Sequence, residues 1–185
     1  MGVISSMQQK EVIIEEYNNN WPDMFSELKV VLQNQLEDLA MAVEHVGSTS
    51  VPGLAAKPII DIDVVIDSMD LLPKVIYELN ILGYYHEGNK GIENREAFAR
   101  KNNNVPYSKD RTEKPEHHLY VCNKESNELI RHIKFRNILR MHPTVLDEYA
   151  RLKKDLAQRY RNNREAYTDG KTSFVEEVLR KYKRE

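Results

Sequence analysis

Between His45 and Ile66 the chain reads HVGSTSVPGLAAKPIIDIDVVI. The end of this run, Asp61-Ile62-Asp63 inside an unbroken apolar stretch, restricts the fold more than any other feature. Side chains of a strand alternate between faces, so a strand over 59–66 sets Asp61 and Asp63 side by side and turns Ile60, Ile62 and Val64 the other way. The stretch is apolar enough to be a central strand. Two carboxylates at that spacing repel unless a proton or a cation lies between them. A hard divalent cation, Mg²⁺ or Mn²⁺, is the general solution: it takes oxygen ligands and leaves room for substrate phosphates.

Upstream of the strand lies the turn Gly47-Ser48-Thr49-Ser50. Glycine lets the backbone approach a ligand closely, and nearby hydroxyls and amides can cradle phosphate oxygens. Lys57, between turn and strand, either neutralises a phosphate or stands as a solvated lysine at a strand edge. A Gly-Ser turn alone is common. Followed about a dozen residues later by Asp-x-Asp, it matches the plan of metal-dependent nucleotidyl transfer, with phosphates at the turn and metal at Asp61 and Asp63.

Other elements follow from periodicity. Val12–Ile14 reads as a short edge strand. Trp21-Pro22-Asp23 opens a helix in which Phe25, Leu28, Val31, Leu32, Leu36 and Leu39 recur at helical spacing. Residues 42–46 form a brief strand, 70–82 a helix capped by Gly83, and 84–87 and 97–101 weaker strands. Residues 102–116 are polar, contain proline and read as a mobile loop. His117–Cys122 is a further strand. Beyond Ser126, a plausible N-cap, the pattern is helical: one helix to about Met141, another from Pro143 with Val145, Leu146, Tyr149, Leu152, Leu156 and Tyr160 on a stripe, and a last one with Ser173 and Glu176 as a capping box. The expected fold is α+β, a small mixed sheet flanked by helices, in a single domain over 1–185 whose residues 126–185 form a helical subregion.

The chain of 185 residues has a net charge of −2, unevenly divided: residues 1–130 carry 12 Lys and Arg against 21 Asp and Glu, the remainder 15 against 8. A basic C-terminal third can hold a phosphate-rich partner, RNA included, yet its bases interleave with acids at helical spacing, which favours solvated helix faces. Cys122 is the single cysteine, so cysteine-built zinc sites and intrachain disulfides are excluded and a reducing cytoplasm is expected. No apolar run is long enough to span a bilayer, and the first residues lack the pattern of a secretory signal.

The second cluster is His117-His118-Leu119-Tyr120. Only one of two adjacent strand histidines can face a given site, in a metal, phosphate or proton-transfer role. Arg111, upstream, is a candidate phosphate clamp or a surface arginine. Glu87 and Glu96 are candidates for a third carboxylate; Asp67 and Asp70 read as turn residues. Gly170-Lys171-Thr172-Ser173 lacks the earlier glycine and preceding strand of a phosphate-binding loop. His132 and His142 are isolated on helices and read as structural.

Several stretches together resemble the GrpB family, within the superfamily that shares the DNA polymerase beta-like nucleotidyltransferase fold: Tyr17 through Trp21-Pro22 with Phe25, the block HVGSTSVPGLAAKPIIDI, the strand HHLYV, the segment RHIKFRNILRMHP with EYARLK, and REAYTDGKTSFVEEVL. The resemblance implies a nucleotidyltransferase-like mixed sheet, with the Gly-Ser turn and the paired aspartates at one edge of a cleft. That superfamily usually supplies a third carboxylate from a later strand, where this chain offers histidine. Two functions are compatible with these features. One is a nucleotidyltransferase in which Asp61 and Asp63 hold Mg²⁺, Gly47 to Ser50 receive a nucleoside triphosphate, and Lys57, Arg111 or His118 assist. The other is a catalytically inactive module that holds a nucleotide, a CoA-like molecule or RNA.

Overall fold

The apolar stretch around the two aspartates becomes the middle of a five-stranded mixed sheet in a computed structural model, which describes residues 11–110 and 112–183. The strands are β1 (Ala42–Val46), β2 (Ile60–Ile66), β3 (Tyr84–Gly88), β4 (Arg95–Arg100) and β5 (His117–Asn123), in the spatial order β1-β2-β5-β4-β3. β2 pairs with β5 in parallel; the other neighbours are antiparallel. The parallel pair requires a long crossover, supplied by a helix and the β3–β4 hairpin.

Alternation sorts the residues onto two faces. Ile60, Ile62, Val64, Leu119 and Val121 are buried in the main core, with Leu28, Leu32 and Leu36 of α1 (Trp21–Leu36) and Val75 and Leu79 of α2 (Leu72–Ile81). The opposite face carries Glu44, Asp61, Asp63, His118 and Tyr120, aligned by the register Glu44–Asp63, Asp61–His118 and Asp63–Tyr120. Over it lie the helices of the C-terminal third: α3 (Asn127–Met141), α4 (Pro143–Arg159), α5 (Arg164–Asp169) and α6 (Thr172–Lys181). Their apolar contact, with Ile138, Leu139, Val145, Tyr149 and Val178, closes on Val51 and Leu54 just after the Gly-Ser turn. Ser126 caps α3 by accepting from the Leu129 amide at 3.5 Å.

The structure departs from the sequence reading in five places. Val12–Ile14 is not a strand; the segment is tied instead by Glu15, whose backbone exchanges two 2.9 Å bonds with Ala56. The 102–116 segment has no regular structure among its described residues, but it is anchored. Val105 is buried in the core, and the Tyr107 amide bonds Leu82 O at 2.8 Å. The helix expected from residue 70 begins as a short 3-10 turn, Met69–Leu71, capped by Ser68. α5 has no apolar periodicity to announce it and is started by Asn163, whose side chain accepts from the Ala166 amide. Lys171, not Ser173, caps α6, so Ser173 and Glu176 form no capping box. Arg111 and residues 1–10 lie outside the described residues. Among the described residues no helix is long and apolar enough to cross a membrane.

Gly47 joins β1 to the turn with φ +71° and ψ −172°, a conformation that is almost exclusively glycine's. A Cβ there would also enter the van der Waals radius of Asp61 Oδ2. Gly47→Ala is therefore expected to lower stability by roughly 1–3 kcal/mol. In an Asp61→Ala background the same change should cost less, because the carboxyl clash is gone and only the backbone strain and a tight contact with the residue 61 Cβ are left. Urea denaturation of the two single variants and the double variant measures that coupling.

Candidate functional site

Each aspartate of β2 is met by a histidine. The His118 Nδ1–H donates to Asp61 Oδ1 at 2.8 Å, and Arg164 donates to the ring's other nitrogen at 3.2 Å. A guanidinium can only donate, so the acceptor in that contact is His118 Nε2. Burial opposes the charge of Asp61, but the His118 hydrogen bond and nearby positive charge outweigh it and hold this carboxyl below the usual range. Asp61 Oδ2 is left turned toward Gly47.

Asp63 is fully buried. Its Oδ2 accepts from His132 Nδ1 at 2.7 Å, while His132 Nε2 lies 3.1 Å from Glu128 Oε1. An imidazole flanked by two carboxylates is an imidazolium. Burial works against that charge, yet the two hydrogen bonds raise His132 to about 9, and His132 in turn lowers Glu128 to about 2. His132 was read from sequence as structural and isolated; it is neither remote from the aspartates nor isolated. Glu128 one turn before it, facing the same way, was the available signal. Asp63 Oδ1 is buried with no hydrogen-bond partner.

The Gly-Ser turn divides in role. Gly47 and Ser48 line the cleft beside Asp61. The Ser50 hydroxyl donates to Gly47 O at 2.6 Å, and Thr49 shares a 3.0 Å bond with His45, whose ring stacks on Phe25. Those two hydroxyls hold the bend in shape. α3 clamps the bend from outside: Arg136 donates to His45 O and to Glu44, each at 2.8 Å, and Arg140 to Ser50 O at 2.6 Å. His117 faces the core, where its Nδ1–H donates to Pro115 O at 2.7 Å and its Nε2 accepts from Tyr84 at 2.6 Å. Of the two adjacent histidines, His118 is the one in the cleft. No third carboxylate joins the aspartates from the predicted positions: Glu87 pairs with Lys90 and Glu96 with His86.

Around Asp61 the cleft, about 370 Å³, is lined by Lys57, Lys153, Lys171, Arg95 and Arg164. Lys153 is the anomaly. Its residue is 1 % exposed, and its ammonium has no hydrogen-bond partner, resting 5.2 Å from the Tyr149 ring. Burial first, and then Lys171, push Lys153 down to about 7; burial and Lys57 push Lys171 down to about 8. Lys57 is lowered as well, by burial and by Arg164. Cations gathered this closely inside a cleft, with Asp61 the one carboxylate in its lining, suit an anionic ligand. The sequence reading assigned this basic third to solvated faces. Lys153 falls four residues after Tyr149 and three before Leu156, on the buried stripe of α4, and that placement was the missed signal.

Among the described residues no group of three or more His, Cys, Asp or Glu could hold a metal ion. Asp61 Oδ2 and the orphaned Asp63 Oδ1 are two hard oxygens on one strand face. Mg²⁺ commonly takes one or two carboxylates and completes its shell with water and substrate phosphate; Asp61, at the cleft wall, suits that role, whereas Asp63 is enclosed and would join it only once uncovered. They do not furnish two metal positions.

Comparison with known proteins places this arrangement. The family described as GrpB protein matches residues 11–181. The glutamate-rich protein GrpB of Alkalihalophilus pseudofirmus is 35% identical over 170 residues, which is 91% of this chain and 94% of that protein. YqkA of Bacillus subtilis, a UPF0157 protein, is 31% identical over 184 residues, covering 100% of this chain and 51% of that longer protein. The crystal structure of the conserved protein GrpB from Enterococcus faecalis superimposes with a TM-score of 0.75 at 33% identity, over 92% of this chain and 99% of that one. With a family match along nearly its whole length, and an α+β sheet that carries the expected turn and paired aspartates, this chain belongs to the GrpB family.

Proposed function

We propose that this protein is a Mg²⁺-dependent nucleotidyltransferase that uses a nucleoside triphosphate and acts in the cytoplasm. The observation that carries this reading is Lys153, a buried ammonium without a hydrogen-bond partner, aimed with Lys57 and Lys171 into the cleft that also holds Gly47, Ser48 and Asp61. A triphosphate supplies the missing negative charge, and the bare backbone at Gly47 allows its oxygens to come close. A second cavity of about 270 Å³ adjoins the first across Gly47 and Ser48 and is walled by Phe135, Leu139 and Val175. It is of a size and character to take the nucleoside.

The chain's own residues then divide the work. Lys153, Lys171 and Lys57 bind the phosphates and hold the charge of departing pyrophosphate. Asp61 and Asp63 would hold the cation, which when bound adds positive charge at the phosphate oxygens. An acceptor oxygen attacks the α-phosphorus, the α–β bridging bond breaks with its electron pair on pyrophosphate, and the acceptor's proton passes to His118 Nε2 as the Arg164 guanidinium moves off that nitrogen onto substrate phosphate. Asp61 fixes the His118 tautomer that leaves that nitrogen unprotonated.

One observation favours a second reading, a binding module without chemistry: Asp63 is wholly enclosed and already bonded to His132. A module of that kind would hold nucleotide, a CoA-like molecule or RNA equally well without Mg²⁺. RNA binding would weaken steeply with salt. Purified protein given each nucleoside triphosphate with Mg²⁺, and assayed for pyrophosphate against an Asp61→Asn control, separates the two readings. Transfer predicts release that the substitution lowers by at least about 100-fold, the range of a lost electrostatic contribution at a reacting centre.

Lys153→Met should weaken tripolyphosphate binding at least tenfold and yet stabilise the empty protein by about 1 kcal/mol or more, since it removes an uncompensated buried charge. Calorimetric titration and thermal melting read the two effects on one sample. The pH dependence has a defined sign. Lys153 at about 7 and Lys171 at about 8 lose their protons as pH rises, and an anion favours the protonated forms. Sulfate, whose own charge is constant over this range, should therefore bind most tightly below pH 7 and lose at least tenfold by pH 9. For the empty protein the sign is opposite. A lysine depressed on folding costs stability while the unfolded chain stays protonated, so stability should rise from pH 7 towards 10.

A further inference from the structure

The cleft continues past His118 and Arg164 into a groove of about 600 Å³ over β4 and the start of β5. Arg95, Arg100, Lys101 and Arg164 line it, and two carboxylates stand among them, of which Glu87 is already paired with Lys90 at 2.6 Å. The floor is low because β4 presents Ala97 and Ala99 there. Arg95 is the best-prepared group. Its guanidinium lies 4.4 Å from the Tyr120 ring centre, and its Nε is buried with no hydrogen-bond partner. A guanidinium resting against an aromatic ring, with its forked terminal N–H donors, suits a tetrahedral oxyanion. Arg95, His118, Tyr120 and Arg164 line both this groove and the phosphate cleft, so a molecule in the groove lies directly beside the reacting centre.

We infer that this groove is the acceptor subsite and that the acceptor is a small molecule bearing a phosphate group. The inference rests on the nucleotidyl-transfer reading for the word acceptor, but the anion site itself stands on the groove's own residues. A compact phosphate ester suits it better than a polynucleotide. Residues 11–110 and 112–130, which hold the sheet and its N-terminal helices, carry 10 Lys and Arg against 21 Asp and Glu, a balance that disfavours a long polyanion beyond the groove. Lys57, Lys153 and Lys171 serve the nucleotide phosphates, and the arginines across His118 serve the acceptor's.

The test uses the full chain with tripolyphosphate present at saturation, so that the first cleft is filled, and titrates inorganic phosphate by calorimetry. One further phosphate should bind. Arg95→Met and the exposed-site variant Lys101→Ala should each weaken it at least fivefold; Lys101, which lines the groove and not the cleft, should leave tripolyphosphate affinity within twofold of the parent when replaced, whereas Lys153→Met should weaken tripolyphosphate and spare the second phosphate. Absence of a second phosphate in the parent, or an affinity indifferent to both groove variants, overturns the anion subsite. Matched acceptors then read the chemistry: glycerol against glycerol 3-phosphate, and glucose against glucose 6-phosphate, each with a nucleoside triphosphate and Mg²⁺. Pyrophosphate release that rises only with the phosphorylated member of a pair supports the acceptor role. Equal use of both members, or transfer to the end of an oligoribonucleotide instead, overturns it. If tripolyphosphate fails to bind while phosphate still binds in an Arg95-dependent way, the nucleotide reading falls and with it the acceptor role, leaving only an anion site.

Discussion

Parallel pairing of β2 with β5 sets His118 opposite Asp61, and the chemistry of the site depends on that register. Two aspartates on one strand face are a liability in a protein interior. Here each is answered differently. Asp61 takes one hydrogen bond from His118 and keeps its other oxygen toward Gly47, while Asp63 takes an imidazolium and is sealed from water. A shift of one residue in the strand register would turn every one of these groups to the opposite face, into the apolar core.

The face opposite the core therefore holds two unlike halves. The sheet contributes carboxylates stabilised by histidine, and the C-terminal helices contribute Lys153 and Lys171, which have no ion-pair partner among the described residues. A single buried lysine with a lowered affinity for protons carries a cost to the folded state that only a ligand removes. Natural chains keep such groups mostly where binding or catalysis uses them. That asymmetry is the reason to treat the cleft as a working site: a purely structural use of Asp61 needs no Lys153.

The fold was largely legible because the strands obey a period of two and the helices one of 3.6. Residues 42–46 were placed as the strand they form, and β2 was one residue shorter than expected. Where periodicity is silent, reading failed: α5 rests on an asparagine cap, and the 102–116 loop is held by the burial of Val105 and a backbone bond to Leu82. For the site, Gly47, Ser48, Lys57, Asp61 and His118 were found from local motifs, and the structure brings them to one cleft. His132 and Lys153 were missed because their partners lie far away in sequence. His132 answers a strand 69 residues earlier. Lys153 was charged in a segment of mixed charges, and composition gave no reason to set one lysine apart. Its helical phase did, since it shares the stripe of Tyr149 and Leu156.

The arginine clamp of α3 bears on how this architecture can change over time. Arg136 and Arg140 grip the carbonyl oxygens of His45 and Ser50, atoms that every amino acid possesses. Replacing the side chains at those positions leaves the joint between helix and bend intact. Ser48, whose hydroxyl is not one of the two that brace the bend, is thus the position where a lineage can try new ligand preferences while the helix keeps its grip on the chain.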